Sequence, residues 1–190
     1  MKNLTIKSIL LLTSLLLTFG ATAGSCDKEG KKLMENGYDS TQIGAVEEIR
    51  LPIRSSFEAS YKLCKDYIKQ AKVSVEYNTF YKSVEGKSED EIKQAFNKLP
   101  KATQDKVKAF ESSNSEMLSS IGQLLLELAV QQVAFDKLDA KSALSDLSMF
   151  KLPSALSSVG DTGKEIMFIN DSMGEIYKVS QTLSALENAS

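Results

Sequence analysis

The stretch VKAFESSNSEMLSSIGQLLLELAVQQVAFDKL, residues 107–138, holds the most regular apolar pattern of the chain. Apolar side chains recur in steps of three and four, with polar residues filling two gaps, at Val107, Phe110, Met117, Ile121, Leu124, Leu128, Phe135 and Leu138. This spacing is typical of one helical face, so the stretch predicts a single continuous helix. Residues 121–135 add apolar side chains on other faces, which favours burial on all sides. We therefore expect residues 107–138 to be the central helix of a bundle.

Two further stretches carry a matching pattern. A long helix over residues 55–84 and a last helix from Thr162 each align apolar residues on one face: Phe57, Tyr61, Cys64, Ile68, Ala71 and Val75, and then Ile166, Ile169, Met173, Ile176 and Leu183. With only 3 prolines and 10 glycines in 190 residues, long helices are favoured over many tight turns. The prediction is an all-α fold, an elongated helical bundle of three long helices plus several short helices. It forms a single helical domain over residues 24–190.

The prolines and the Ser/Thr-x-x-Glu patterns predict where helices begin and end. Each proline follows a basic residue and a leucine, at residues 50–52, 98–100 and 151–153, and we expect each to end a short helix. Capping boxes are predicted at Ser55, Ser88 and Thr162, and the Ser- and Gly-rich residues 154–163 are typical of a loop. The three basic-Leu-Pro segments indicate either a true repeat or a common way to end a helix.

The N-terminus has the pattern of a secretory signal peptide. Lys2 and Lys7 precede an apolar run over residues 9–19, which is followed by small residues up to Ala23. A run of this length is too short to span a membrane as a mature helix, and residues 1–23 are expected to be removed during export. This order of basic, apolar and small residues is typical of bacterial signal peptides, which predicts a periplasmic or secreted protein.

The two cysteines, Cys26 and Cys64, leave two interpretations open. In an exported protein, two cysteines favour a disulfide bond between them. Alternatively, residues 23–26 loosely resemble a bacterial lipobox, in which Cys26 would be lipidated and would anchor the protein to a membrane. The usual leucine three positions before the cysteine is absent. The two interpretations exclude each other, because a lipidated Cys26 cannot form a disulfide.

The composition excludes several classes of chemistry. The chain contains no histidine, so there is no Ser-His or Cys-His couple and no histidine metal ligand. No other constellation suggests an enzyme, a metal site or a cofactor. The net charge is -2 and no segment is basic enough to suggest nucleic-acid binding. Residues 111–190 hold 5 basic and 11 acidic residues, which makes this half acidic, at -6.

The candidate interaction surface lies on the helix over residues 55–84. Four lysines in steps of three and four form a basic stripe, and aromatic residues gather at the far end of the helix: Lys62, Lys65, Lys69, Lys72, Tyr77, Phe80 and Tyr81. The stripe is suited to an acidic partner or an anionic headgroup, or it is simply a solvated face. The aromatic group is either a recognition patch or core at a helix end. Residues 111–120 are Ser- and Asn-rich, so we also expect them to be exposed and to contact any partner.

These observations favour an exported, non-catalytic helical binding or interaction protein of the bacterial cell envelope, acting as an assembly factor or chaperone-like adaptor. A protein partner is expected, although the sequence identifies neither the partner nor the oligomeric state. The alternative is a periplasmic immunity or inhibitor protein that neutralises a secreted toxin or enzyme, for which the acidic second half would suit a basic cleft. A component of a secretion or pilus apparatus is a third possibility.

Overall fold

The structure, a computed structural model, describes residues 26–145 and 147–188, and all regular elements in that part of the chain are helical. A π-helical turn, Cys26–Gly30, is followed by α1 (Lys31–Glu35), α2 (Gly44–Val73), α3 (Val75–Val84), α4 (Glu89–Asn97), α5 (Lys101–Ser113), α6 (Ser115–Asp136), α7 (Ala140–Ala143) and α8 (Leu152–Asn188). The helices α2, α6 and α8 have 30, 22 and 37 residues, so the predicted all-α fold with three long helices is confirmed. The predicted signal peptide, residues 1–23, lies outside the described residues.

The long helices α2 and α8 run parallel to each other. The Arg50 side chain donates a hydrogen bond to Thr162, and seven residues further along α2 the Phe57 ring packs edge-on against Phe168. Residue numbers therefore rise together along both helices. The apolar face predicted for the last helix is buried against its neighbours, with Ile166, Ile169, Met173, Ile176 and Leu183 all in the core.

The third long helix, α6, packs against both α2 and α8 and runs antiparallel to α8. The Asn170 amide donates to Gln132, whereas Gly122 lies against the ring of Tyr177. A Cβ at Gly122 would lie 2.8 Å from that ring, so glycine permits the close approach of the two helices. The core is formed where the three long helices meet.

Two stretches predicted as single helices are each interrupted, which corrects those predictions. The first break, at Ser74, separates α2 from α3, and the serine side chain accepts a hydrogen bond from the Tyr77 N–H. The second, at Asn114, separates α5 from α6, and the buried asparagine amide donates to the Phe110 carbonyl at 2.9 Å. The rings of Tyr77 and Phe110 stack with centroids 3.8 Å apart, so the two breaks lie beside each other. Residues 55–84 and 107–138 thus bend together as an antiparallel pair.

The prediction that each proline ends a short helix is correct only at Pro100, which follows α4 and precedes α5. Pro52 lies inside α2, and Pro153 lies in the first turn of α8, where proline is tolerated because its missing N–H needs no partner there. The expected loop at residues 154–163 is also wrong, since α8 is continuous through it. Ser158 donates its hydroxyl to a backbone carbonyl one turn earlier, as does Thr162, so these residues are accommodated inside the helix.

Of the three predicted capping boxes, only the one at Ser88 is present. The Ser88 hydroxyl accepts a hydrogen bond from the Glu91 N–H, and the Glu91 carboxylate accepts one from the Ser88 N–H at 2.9 Å. Ser55 lies inside α2 and Thr162 lies inside α8, each about three turns after the start of its helix. A capping box requires a free helix end, and tertiary packing extended the helices past both residues.

Candidate functional site

The aromatic residues of the candidate interaction surface are buried. Tyr77, Phe80 and Tyr81 are no more than 5% exposed, so the prediction of a recognition patch is wrong and the alternative, core at a helix end, is correct. The hydroxyls of Tyr67 and Tyr77 share a hydrogen bond, and the Phe80 ring packs edge-on against Phe96. These rings hold α3 against α2, α4 and α5.

Burial also shifts the pKa values of two hydroxyl groups in this aromatic cluster. Desolvation, reinforced by the negative charge of Glu111, raises the pKa of both Tyr67 and Tyr77 well above the ordinary value of 10.0. The hydroxyls therefore stay protonated at physiological pH. Glu111 is itself buried, although it belongs to the segment 111–120 that was expected to be exposed, as do the buried residues Asn114 and Leu118. That expectation is correct for the serines between them.

The four lysines of the basic stripe, Lys62, Lys65, Lys69 and Lys72, are all exposed on α2. The Lys65 ammonium lies 5.4 Å from the centre of the Tyr61 ring, which steadies that side chain without burying it. Lys69 and Lys72 border two different depressions. The lysines therefore do not act on one shared pocket.

The depression beside Lys69 is a wide groove of about 750 Å³ between α2 and the α5–α6 break. It is lined by Leu63, Asp66, Lys69, Gln70, Val73, Ser113, Asn114, Ser115, Glu116 and Met117. Both charge signs are present and the lining is mixed polar and apolar. The groove has the breadth of a contact surface.

The depression beside Lys72 is smaller and more enclosed. It has a volume of about 150 Å³ and lies where α2, α3 and α8 meet. Its wall includes Cys64 and Tyr81, and its exposed lining residues include Lys72 from α2 and Lys82 from α3. Only Lys72 and Tyr81 were among the candidate surface residues, and the pocket could not be found from sequence because its wall combines three helices.

A buried polar cluster that was not predicted from the sequence joins α2 to α8. The Arg54 guanidinium donates to the Glu165 carboxylate at 2.8 Å, and both side chains are less than a tenth exposed. One turn earlier, Arg50 donates to Glu47 at 2.8 Å and to Thr162 at 3.0 Å. The available sequence signal was two arginines one turn apart on a helix whose inner face is mostly apolar.

The carboxylates of this cluster have shifted pKa values of opposite sign. Burial raises the pKa of Glu165 despite the neighbouring Arg54. Burial acts in the same direction on Glu47, but hydrogen bonds from Tyr38 and Thr41 and the charge of Arg50 outweigh it and lower the pKa to about 2. Each carboxylate is paired with an arginine, although within the described residues the second carboxylate oxygen of Glu165 is buried without a hydrogen-bond partner. The arrangement is a structural clamp that fastens α8 and the segment before α2 to α2.

The predicted disulfide joins Cys26 to Cys64, whose Cα atoms are 6.1 Å apart, and both residues are fully buried. It fixes the N-terminal turn to α2, and Gly30 packs so closely there that a Cβ would lie 2.6 Å from Tyr61 and 2.8 Å from Phe168. In a chain-entropy model, closing this loop stabilises the fold by about 4 kcal/mol. A disulfide bond indicates an oxidising compartment. Because a lipidated Cys26 could not form this bond, the structure favours the first of the two interpretations of the cysteines.

One face of α6 is apolar and open to solvent. Leu126, Val130 and Val133 recur in steps of four and three, so they share one side of the helix, and they are 73%, 74% and 53% exposed. The expectation that other helices cover α6 all round is therefore wrong, since α2 and α8 cover only part of it. Within the described residues, α6 is the one helix whose length and apolar composition would suffice to cross a membrane.

The described part of the chain contains no group of three or more His, Cys, Asp or Glu side chains that could hold a metal ion. No family model, no curated protein and no solved structure matches this chain.

Proposed function

We propose that this protein is an exported, non-catalytic binding protein of the bacterial cell envelope, and that a protein partner contacts the open face of α6. The observation that carries the proposal is the exposure of Leu126, Val130 and Val133. Exposed apolar side chains scattered singly are ordinary, whereas three on one helical face form a contiguous surface that water solvates poorly. A partner with an apolar surface of its own would bury this face.

The rest of the molecule supports a rigid scaffold for such a contact. The Arg54–Glu165 ion pair fastens α2 to α8, and the disulfide fastens the N-terminal turn to α2. The helix α6 packs against both of these long helices. The opposite side of α6, including Leu124 and Leu128, is buried in the bundle and is not available to a partner. A preorganised helix face loses little conformational entropy on binding.

Site-specific photo-crosslinking in the bacterium that encodes the protein tests this function. A photoreactive residue at Val130 should crosslink to another envelope protein, and the same residue at Gln181, a polar exposed position on α8, should not. Replacing Leu126 and Val133 with serine should leave the helical circular dichroism unchanged and reduce the crosslink by about tenfold. Crosslinks to lipid, to a second copy of the chain, or equally from both positions would refute the proposed contact.

Fractionation of the same cells tests export independently. Periplasmic or secreted protein that begins near residue 24 supports the predicted signal peptide. Cytoplasmic protein that retains residues 1–23 would contradict it.

A further inference from the structure

The cavity of about 150 Å³ at the α2–α3 break is formed by the break itself. Because α2 ends at Val73 and α3 starts at Val75, the two helices do not continue on one axis, and α8 closes the space between them through Ile176. The cavity is lined by Cys64, Tyr67, Ile68, Ala71, Lys72, Asn78, Tyr81, Lys82 and Ile176. It lies apart from the open face of α6.

The wall of this cavity is mostly apolar. Cys64 is bound in the disulfide, and Ala71, Ile176 and the ring of Tyr67 are buried side chains that offer carbon surface. The Tyr67 hydroxyl is directed into its hydrogen bond with Tyr77. A cavity of about this volume with apolar walls accommodates one benzene-sized body, as an engineered example shows. The wall therefore selects a six-membered ring or a branched aliphatic group.

The mouth of the cavity is cationic. Lys72 and Lys82 are exposed lining residues that come from different helices, and Asn78 adds an amide that can donate hydrogen bonds. No carboxylate lines the cavity, and in the described part of the chain neither lysine forms an ion pair. An anionic group at the mouth would meet two positive charges without displacing a competing acid.

We propose that this cavity binds a small amphiphilic monocarboxylate, with an aromatic or branched aliphatic body inside the cavity and the carboxylate between Lys72 and Lys82. The apolar wall and the cationic mouth together define this ligand class, because an apolar body alone would leave both lysines without a partner. A carboxylate alone would leave the cavity without an apolar occupant. A long acyl chain would exceed the volume.

Titration of the purified protein with sodium phenylacetate, followed by amide NMR, tests this inference. Phenylacetate should give saturable shifts at the amides of Cys64, Ala71 and Ile176, whereas acetate should give none and toluene should bind more weakly than phenylacetate. If phenylacetate gives no saturable shift, or if acetate gives the same shifts, the site does not exist as described.

Variants separate the two halves of the site. Replacing Lys72 and Lys82 with glutamine should weaken phenylacetate binding by about tenfold, because each exposed ion pair contributes modestly. The matched change at Lys62 and Lys69 alters the net charge equally and should leave binding within about twofold. If the two pairs of substitutions weaken binding equally, the effect comes from overall charge alone. That result would overturn the assigned position of the carboxylate.

A variant whose side chain fills the cavity tests whether phenylacetate binds there. Ala71→Met places additional side-chain volume in the cavity and should abolish binding. Its amide spectrum should remain dispersed, and if the variant does not fold, the milder Ala71→Val serves instead and should reduce the affinity. Unchanged binding in a folded Ala71→Met protein would place phenylacetate elsewhere. None of these outcomes depends on the partner proposed for α6.

Discussion

The Glu47 carboxylate offers the sharpest test of how this fold is held together. It accepts hydrogen bonds from the Thr41 N–H at 2.8 Å and the Thr41 hydroxyl at 2.7 Å, from the Tyr38 hydroxyl, and from the Arg50 guanidinium at 2.8 Å. Its side chain is only 13% exposed. Replacement by glutamine keeps the shape and removes the charge. The expected result is a large loss of stability at neutral pH.

The magnitude follows from the pKa of Glu47, which the folded protein lowers from an ordinary 4.5 to about 2 although burial alone would raise it. That difference corresponds to about 3 kcal/mol of stability contributed by the ionised form. A carboxyl group whose pKa is lowered by folding stabilises above its unfolded pKa, and the contribution is lost as the pH falls towards the folded value. The effect of Glu47→Gln should therefore be complete above about pH 5 and should shrink towards about pH 2.

Urea unfolding followed by circular dichroism at about pH 7 and about pH 3 measures this effect. Glu48→Gln is the matched control, since Glu48 is the next residue of α2 and is exposed, so its replacement should change the free energy of unfolding by less than about 0.5 kcal/mol. The reasoning is refuted if the two variants lose equal stability at neutral pH. It is also refuted if the loss in Glu47→Gln is the same at both pH values.

Two further comparisons test the packing of the long helices by the same unfolding assay. Arg54→Met leaves the buried Glu165 carboxylate unpaired and should cost about 3 kcal/mol at neutral pH, whereas Glu58→Gln removes only the half-exposed partner of the same arginine and should cost less than about 1 kcal/mol. The Arg54→Met loss should be smaller in acid, because burial raises the pKa of Glu165 and protonation removes the unpaired charge; equal losses in the two variants would contradict a buried ion pair. Gly122→Ala should destabilise by about 1–3 kcal/mol because its Cβ would meet a tyrosine ring of α8, while Gly174→Ala, where the space is open, should stabilise by about 0.5–1 kcal/mol. Equal effects of the two glycine replacements would contradict the close α6–α8 approach.

Much of the architecture could be predicted from the spacing of residues that lie close together in the sequence. The three-four spacing from Ile166 to Leu183 predicted the buried face of α8 correctly, since a helix repeats its faces every 3.6 residues whatever surrounds it. Ser88 and Glu91 lie three residues apart, so both partners of their capping box are visible in one turn of sequence. The pairing of Cys26 with Cys64 followed from there being only two cysteines.

Other features depended on partners distant in the chain. The Arg54–Glu165 ion pair joins residues 111 positions apart. From its neighbours in sequence alone, the same glutamate was predicted to belong to a capping box at a helix start. The breaks at Ser74 and Asn114 arise where two antiparallel segments bend side by side, so neither is visible from its own stretch. Pattern alone also could not separate a fully covered helix from one with an open side.

The sequence by itself therefore determined that residues 107–138 are mostly helical and that one side of them lies in a core, because periodicity is a property of the helix alone. Only the tertiary structure decided that the helix breaks at Asn114, that α2 and α8 cover just part of α6, and that Val130 faces solvent. The reason is geometric: two neighbouring helices cannot cover the whole circumference of a third. The uncovered side of α6 is where we propose that a partner binds.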